Sequence, residues 1–520
     1  MDTASSIAAA RRNSIDRALA RAVRKRPDRI ALRYAERSWT YAELERAAGS
    51  VAARLASLGI ARGDRIAAYG RNSDAYVLLW LACARGGFVH VPINYALTAI
   101  ELAYIVDQSR ATALVYDADL AATVDIAAGD LVLRVRGRFE GPGEALDVLA
   151  AAEAATACEA ESPAAQDLVQ LLYTSGTTAA PKGAMMTHGA LLAEYESCIV
   201  DADLSAEDRV LGALPLYHSA QMHCFTMPHL LLGATTTLLK AFDPALCLER
   251  IERDRVTSFF APPTGWIAML RHPDFATRDL GSLRKIYYGA SIMPVPVLEE
   301  LRRRLPGVAP YNLYGQSEIG PLATVLRPEE HDARPASAGR PVFNVETRIV
   351  DPHMNDVPPG VSGEIVHRSP QLLIGYWDKP AETAEAFHGG WFHSGDVGVR
   401  DEEGYITVTD RIKDVINTGG VVVSSREVED ALFKHPAVSE AAVVSLPHPK
   451  WVEAVAAIVV LRDGASADER SLLEHAREQL APFKVPKRIF FTTAIPRNSA
   501  GKILKRVLRD EYAERLRDAH

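Results

Sequence analysis

Leu171-Leu-Tyr-Thr-Ser-Gly-Thr-Thr-Ala-Ala-Pro-Lys-Gly-Ala-Met-Met-Thr-His-Gly189 decides how this chain is read. Its approach, residues 168–173, is apolar except for Gln170 and predicts a buried strand. Hydroxyls and glycine then crowd together. Thr174, Ser175, Thr177 and Thr178 surround Gly176, and Lys182 and Gly183 follow. Such a loop offers several backbone N–H groups, four hydroxyls and one mobile cation, the equipment for holding a polyphosphate. It is not the common nucleotide-binding loop, because no Gly-Lys-Ser or Gly-Lys-Thr stands at the required spacing. The plain alternative is a Ser/Thr-rich surface turn, and Pro181-Lys182-Gly183 in register weighs against it.

Working outward, 520 residues suit two or more domains with large cores. A hydrophobic content of 48% and a charged content of 24% are those of a soluble globular protein. The formal charge of −8 argues against a nucleic-acid surface as the main role. Cys83, Cys158, Cys198, Cys224 and Cys247 are dispersed with no CxxC pair, which reads as reduced core thiols in a cytoplasmic protein rather than a disulfide frame or a zinc site. Residues 7–26 read as one Ala/Arg-rich amphipathic helix. Asp2, Asp16 and Asp28, and the direct run into a strand at Ile30, argue against a transit peptide. Residues 75–84 are the most apolar stretch, too short for a bilayer and closed by Arg85, so no membrane span is expected.

Helix and strand signals alternate to about residue 240, which predicts βαβ units with buried parallel sheets. Ser38 or Thr40 can cap a helix carrying Leu44, Ala48, Val51, Leu55 and Leu58. Residues 65–69 and 88–92 are expected strands around a helix over 73–84. The Ala/Glu-rich run 144–165 reads as a surface connection, and Ser258 to Trp266 as a strand leading into a turn. Lys285 to Ser291 reads as a strand ending in the small residues Gly289, Ala290 and Ser291, which would let a flat ligand approach the backbone. In Tyr311-Asn-Leu-Tyr-Gly-Gln-Ser-Glu318, Tyr314 offers a ring face, Ser317 a hydroxyl and Glu318 a carboxylate able to hold Mg²⁺. Asp396, in Trp391-Phe-His-Ser-Gly-Asp, is a carboxylate of the kind that accepts two vicinal hydroxyls. Beyond residues 411–414 the texture changes to a small α+β unit that ends in Gly501-Lys502 and a basic amphipathic helix.

These separated stretches, in this order, resemble the adenylate-forming superfamily: acyl-CoA synthetases, stand-alone adenylation domains and luciferases. The resemblance runs from about residue 25 to residue 510. It implies an α/β fold with parallel-rich sheets flanked by helices over residues 1–412, and a mobile α+β lid over 413–520. It implies ATP, Mg²⁺ and CoA, and a carboxylic acid as substrate. Thr174, Ser175, Gly176, Thr177, Thr178 and Lys182 would hold the phosphates, with Thr174 and Glu318 at the metal. Gly289, Ala290, Tyr314, Gly315, Ser317, Asp396 and Arg411 would hold the nucleotide. Tyr217, His218, Trp266 and Ser291, with Met269, would line the acyl pocket. Lys413 would be the hinge, Gly419 and Gly420 would face the thiol channel, and Lys502, with Glu318 and Lys182, would act in catalysis. Amino-acid-activating relatives carry Asp where His218 stands; an imidazole gives an ammonium no countercharge, so an α-amino acid substrate is not expected. His223, by contrast, reads as an ordinary core histidine.

Two departures from the family pattern stand out. Ala179 replaces a glycine of the phosphate loop, and Val421 and Val422 replace polar residues after Gly420. They keep open a ligase that works on a preformed acyl-adenylate. A stand-alone adenylation enzyme serving a carrier protein, a luciferase-like oxygenase and a homodimer also stay open. A non-catalytic binding module is disfavoured, because Lys502 and Glu318 are both kept.

Overall fold

In the helix Asp74–Gly86 every residue except Arg85 is buried. A helix that is apolar all round has to lie between layers, and this one sits in a core shared by two sheets. Ser73 caps it, accepting from the Tyr76 N–H. Its buried Asp74 takes both prongs of the Arg37 guanidinium at 2.7 and 2.8 Å, and the Trp39 indole N–H at 2.9 Å.

The computed structural model describes residues 3–127, 129, 131–154, 161–174, 180–291, 293–418, 421–448, 452–497 and 503–517. These form four sheets. The first has seven strands, in spatial order Leu146–Asp147, Val135–Arg138, Ala111–Tyr116, Arg65–Tyr69, Val89–Ile93, Leu168–Thr174 and Lys182–Thr187; only the last pairs antiparallel. The second has nine, running Arg340–Pro341, Thr324–Leu326, Ala309–Tyr314, Lys285–Gly289, Ser258–Phe260, Arg209–Gly212, Thr235–Leu238, Ile30–Tyr34 and Arg37–Thr40, with a parallel centre and antiparallel edges. The third is an antiparallel set of four: Glu346–Val350, Gly363–Arg368, Phe392–Arg400 and Ile406–Arg411. The fourth, within residues 416–491, packs with the helices Ser425–Phe433, Glu469–Gln479 and Lys505–Arg517. The molecule is therefore a large α/β region with parallel-rich sheets followed by a smaller α+β unit, as expected. Among the described residues no helix is long and apolar enough to cross a membrane.

Local signals explain most elements. Thr40 and Glu43 form a reciprocal capping box for the helix Tyr41–Ser57. Three expectations need correction. The single N-terminal helix is two, Thr3–Arg11 and Ile15–Lys25, because Ser14 caps the second by accepting from the Arg17 N–H. The connection over 144–165 contains a short strand and the helix Val148–Glu153, whose Val148, Leu149 and Ala152 are buried, so small apolar residues there cover a core. The turn after Ser258–Phe260 is the entry to the helix Pro263–Arg271, with Pro263 in its first turn, where a missing N–H costs nothing.

Gly315 leaves the strand Ala309–Tyr314 against the loop that follows it. A Cβ there would lie 2.0 Å from the Pro321 carbonyl oxygen and 2.8 Å from the Ala323 nitrogen, both backbone atoms. Gly315→Ala is expected to cost about 1–3 kcal/mol through this overpacking; an unchanged Tm would show that the loop yields freely.

Four fully buried imidazoles are held neutral. Burial pushes His90 and His223 down to about 3, and His188 and His367 down to about 4. Their folded values lie below the unfolded value of about 6.5, so the unfolded chain binds more protons as pH falls below that value. Buried Glu194, pushed up to about 8 by burial, works the other way. Stability should fall from pH 6.5 to pH 4.5 by about 1.4 kcal/mol per pH unit for each net proton taken up. Tm measured across that window checks it, and a flat profile would contradict the burial of these rings.

Candidate active site

The strands Leu168–Thr174 and Lys182–Thr187 end opposite one another, with Thr174 in register with Lys182 and Tyr173 with Gly183. The loop expected to bind phosphate thus connects the ends of two paired strands. Its Ser175, Gly176, Thr177, Thr178 and Ala179 lie outside the described residues.

Glu318 reaches the same place from the second sheet, on the 3₁₀ turn Ser317–Ile319 that follows Ala309–Tyr314. Thr174 Oγ1 donates to Glu318 Oε1 at 3.0 Å, and the Tyr376 hydroxyl donates to the same oxygen at 3.2 Å. Lys182 Nζ lies 4.5 Å from the centroid of the Tyr376 ring, a cation–π contact that holds the ammonium over the phenol that bonds Glu318. Tyr376 is placed by backbone. Met185 N donates to Gly375 O at 2.9 Å, Ile374 N to Met185 O at 3.0 Å and Trp377 N to Gly183 O at 2.8 Å, so residues 374–377 run alongside the strand that begins at Lys182. Burial, with Glu318 adding to it, pushes the Tyr376 phenol up and keeps it a donor.

A second cluster forms around Asp396, which is nearly buried. Asp396 and Arg411 are register partners on adjacent antiparallel strands, and Arg411 Nε lies 3.1 Å from Asp396 Oδ1. The Tyr314 hydroxyl donates to Asp396 Oδ2 at 2.8 Å, and Gln316 Nε2 donates to both, at 2.7 and 2.9 Å. The carboxylate is oriented before any ligand arrives. Burial pushes the Tyr314 phenol well up, with Asp396 reinforcing it. Gln316 Oε1 is buried and has no hydrogen-bond partner among the described residues. Ser317 Oγ lies 2.9 Å from Ser219 Oγ.

At Gly289 a Cβ would stand 2.3 Å from the Leu313 carbonyl oxygen, so the neighbouring strand leaves no room for a side chain there. Ala290 follows in the left-handed region at φ +63°, at a cost of about 1–2 kcal/mol for a residue with a Cβ. Ala290 and Ser291 are exposed.

Tyr217 and His218 are half-buried. Asn72 positions the segment before them, donating to Leu214 O at 2.8 Å and Leu239 O at 3.0 Å and accepting from Leu216 N at 2.7 Å. Tyr217 stands edge-on to Tyr95 at 5.6 Å, and Arg71 lies 5.0 Å from the Tyr95 ring centroid. Trp266 is one of the residues expected at the acyl pocket. It and Met269 are fully buried in a packed core with Phe259 and Ile286, and its indole donates to Tyr287 O at 3.1 Å. The helix Pro263–Arg271 turns these two residues inward at an i, i+3 spacing. His223 is a core histidine as expected, bonded to Tyr195 at 2.8 Å and to Gln170 at 2.8 Å.

Lys413 is exposed in the turn after Arg411, where Arg509 Nη2 donates to its carbonyl at 3.3 Å. Gly419, Gly420 and Lys502 lie outside the described residues, as do the side chains of Val421 and Val422. The buried thiols read from sequence are found at Cys83, Cys198, Cys224 and Cys247; Cys158 lies outside the described residues. Sequence reasoning missed Tyr376, Gln316, Asn72 and Tyr95. The only signal for Tyr376 was the aromatic pair Tyr376-Trp377 after Gly375, in a stretch with no period.

The family model for AMP-binding enzymes matches residues 19–377, and that for the AMP-binding enzyme C-terminal domain matches residues 427–502. A feruloyl-CoA synthase from Amycolatopsis sp. is 38% identical over 496 residues, which cover 95% of this chain and 98% of that protein. The ATP-bound structure of MatB from Rhodopseudomonas palustris superposes with a TM-score of 0.89 at 30% identity, covering 96% of this chain and 99% of that one. The anthranilate CoA ligase AuaEII in complex with anthranoyl-AMP superposes with a TM-score of 0.91 at 26% identity, covering 97% and 98%. With two sheets delivering Thr174, Lys182 and Glu318 to one place, and with these matches along nearly its whole length, the chain belongs to the adenylate-forming superfamily of AMP-binding enzymes, of the acyl-CoA synthetase type.

Proposed function

We propose that this enzyme converts a carboxylic acid without an α-amino group, ATP and CoA into the acyl-CoA, AMP and pyrophosphate through an acyl-adenylate. The observation that carries the reading is the convergence of Thr174, Lys182 and Glu318 around Tyr376 at the mouth of the phosphate loop. A carboxylate oxygen attacks the α-phosphorus of ATP, the bond to pyrophosphate breaks, and the mixed anhydride remains. Both reactants are anions, so the site has to offset their repulsion. Lys182 would offset charge on the phosphates, Arg411 and Asp396 would orient the ribose, and Tyr314 would give the purine a ring face. The donor set of Thr174 and Glu318, a hydroxyl and a carboxylate 3.0 Å apart, fits a hard divalent cation. Bound there, Mg²⁺ supplies charge neutralisation at the phosphates.

In the second half-reaction the CoA sulfur attacks the anhydride carbonyl and AMP leaves. Lys502 serves only the first step, and Gly419-Gly420 only the second. Rotation of a lid over residues 413–520 about Lys413 would exchange them. His218 and the Tyr95–Tyr217 pair favour an aryl or other apolar acid over an amino acid, in keeping with relatives named for feruloyl and anthranilate substrates. The cytoplasm, which holds ATP, CoA and reduced thiols together, is the proposed location.

The test is a split assay: ATP–pyrophosphate exchange with a panel of aryl and fatty acids, beside thioester formation from preformed acyl-adenylates. Acid-dependent exchange with thioester product is expected. Thioester without exchange for any acid would turn the reading to a ligase for preformed adenylates, and Ala179→Gly would then be expected to restore exchange. Lys502→Ala should lose exchange by about 10²–10³-fold while keeping thioester formation from the adenylate. Equal loss in both halves would remove the role given to Lys502.

A further inference from the structure

Glu318 sits on a turn of three residues, too short to hold itself in place. Within it Ile319 N donates to Gln316 O at 3.0 Å and Gly320 N to Ser317 O at 3.2 Å. What fixes the turn comes from behind. Gln371 Nε2 donates to Ile319 O at 3.1 Å and to Leu322 O at 2.9 Å, and it faces Glu194 Oε2 at 2.5 Å. Glu194 Oε1 accepts from Leu322 N at 3.1 Å. Ser197 Oγ donates to Gln371 Oε1 at 2.6 Å and so decides which way the amide points. Gly320, at φ +103°, closes against the same residue: a Cβ there would stand 3.0 Å from Glu194 Cβ. Glu194, Ser197 and Gln371 are all fully buried.

We propose that Gln371 and Glu194 are positioning residues for Glu318, a buried clamp that fixes the carboxylate beside the Thr174 hydroxyl, where the pair would hold a nucleotide-bound Mg²⁺. The inference rests on the reading of Glu318 as a metal-side residue. The segment carrying Gln371 grips the turn from both ends. Leu373 N donates to Glu318 O at 2.8 Å, and Tyr376, on the same stretch, bonds the carboxylate itself at 3.2 Å. Glu194 belongs to the helix His188–Asp201, whose neighbours Tyr195 and Cys198 are packed in the core, so the clamp is anchored to a rigid element. A buried carboxyl and amide add little stability over an apolar pair of the same size. Their use lies in direction, because hydrogen bonds fix a backbone loop where apolar packing would let it slide.

The same carboxyl meets two thiols: Cys198 Sγ donates to Glu194 Oε1 at 3.2 Å and Cys224 Sγ at 3.6 Å. These ligand-type atoms lie within 4.8 Å of one another, yet they make a poor cation site. A cation needs both thiols deprotonated, and burial pushes both thiols up. Their hydrogen bonds serve instead to complete the acceptor side of the clamp.

The experiment is calorimetric titration of the full-length protein with α,β-methylene-ATP, once with Mg²⁺ and once with EDTA, beside titration with AMP. Gln371→Met, of similar shape but without donors, should shrink the Mg²⁺-dependent gain in affinity by about tenfold while leaving AMP affinity within twofold. Ser197→Ala, a milder change in case the first variant does not fold, should shrink it by about threefold. An unshifted gain in a folded Gln371→Met or Ser197→Ala protein overturns the clamp, as does an AMP affinity that falls in parallel, which would mark general damage. Glu318→Gln is the reference and should abolish the gain. If it does not, the reading of Glu318 falls and takes the clamp with it, an outcome distinct from failure of Gln371→Met alone.

Discussion

The hydrogen bond from Thr174 to Glu318 joins the end of a strand in one sheet to the exit of a strand in another. Everything assigned to the site depends on these two sheets meeting at that point. Lys182 is there because it is the register partner of Thr174, and Tyr376 because its segment pairs with the strand that Lys182 begins. One contact between sheets therefore places a hydroxyl, a carboxylate, a phenol and an ammonium together. Any reaction between a carboxylate and a polyphosphate needs such a set, since the two reactants repel one another and bulk water cannot be kept between them.

Beneath this point the protein departs from a simple apolar core. His90, Gln170, His223 and Tyr195 form a buried chain of hydrogen bonds that runs from the first sheet to the helix His188–Asp201. On the same helix Glu194 and Ser197 meet Gln371. Buried polar groups cost stability unless each finds a partner. Here the partners are one another, backbone groups of the turn beside Glu318 and Gln170 of the strand that leads to Thr174, while His90 Nε2 has no partner among the described residues. The polar layer lies under the elements whose positions matter most to the chemistry, and it gives them a direction that non-directional packing cannot.

The two acidic residues of the site illustrate two ways of holding a carboxylate. Asp396 is surrounded by side-chain donors from Tyr314, Gln316 and Arg411, so its own geometry is set directly. Among the described residues Glu318 receives two hydroxyls on one oxygen and is otherwise held through its backbone. A carboxylate with a less crowded second oxygen suits a ligand that must coordinate it. A carboxylate gripped on both oxygens suits a ligand that only docks against it.

How much was legible beforehand follows the range of the forces involved. Caps, strands and the strand-to-loop character of the phosphate loop depend on neighbours within a few residues, and residues 168–189, 311–318 and 391–396 announced themselves that way. The fold class followed from alternation of helix and strand, and Thr174, Lys182 and Glu318 followed from residue types in order. Tyr376, Gln316, Asn72 and the Glu194–Gln371 pair did not. Glu194 and Gln371 are 177 residues apart, and nothing near either one marks it as buried or paired. The inward turn of Trp266 was equally hidden, because which face of a helix meets the core is settled by the sheet it packs on. The sequence by itself determined the local chemistry each stretch could offer. Only the tertiary structure decided which offers meet, since hydrogen bonds and ion pairs act over a few ångströms and their partners are brought within reach only when the sheets close on one another.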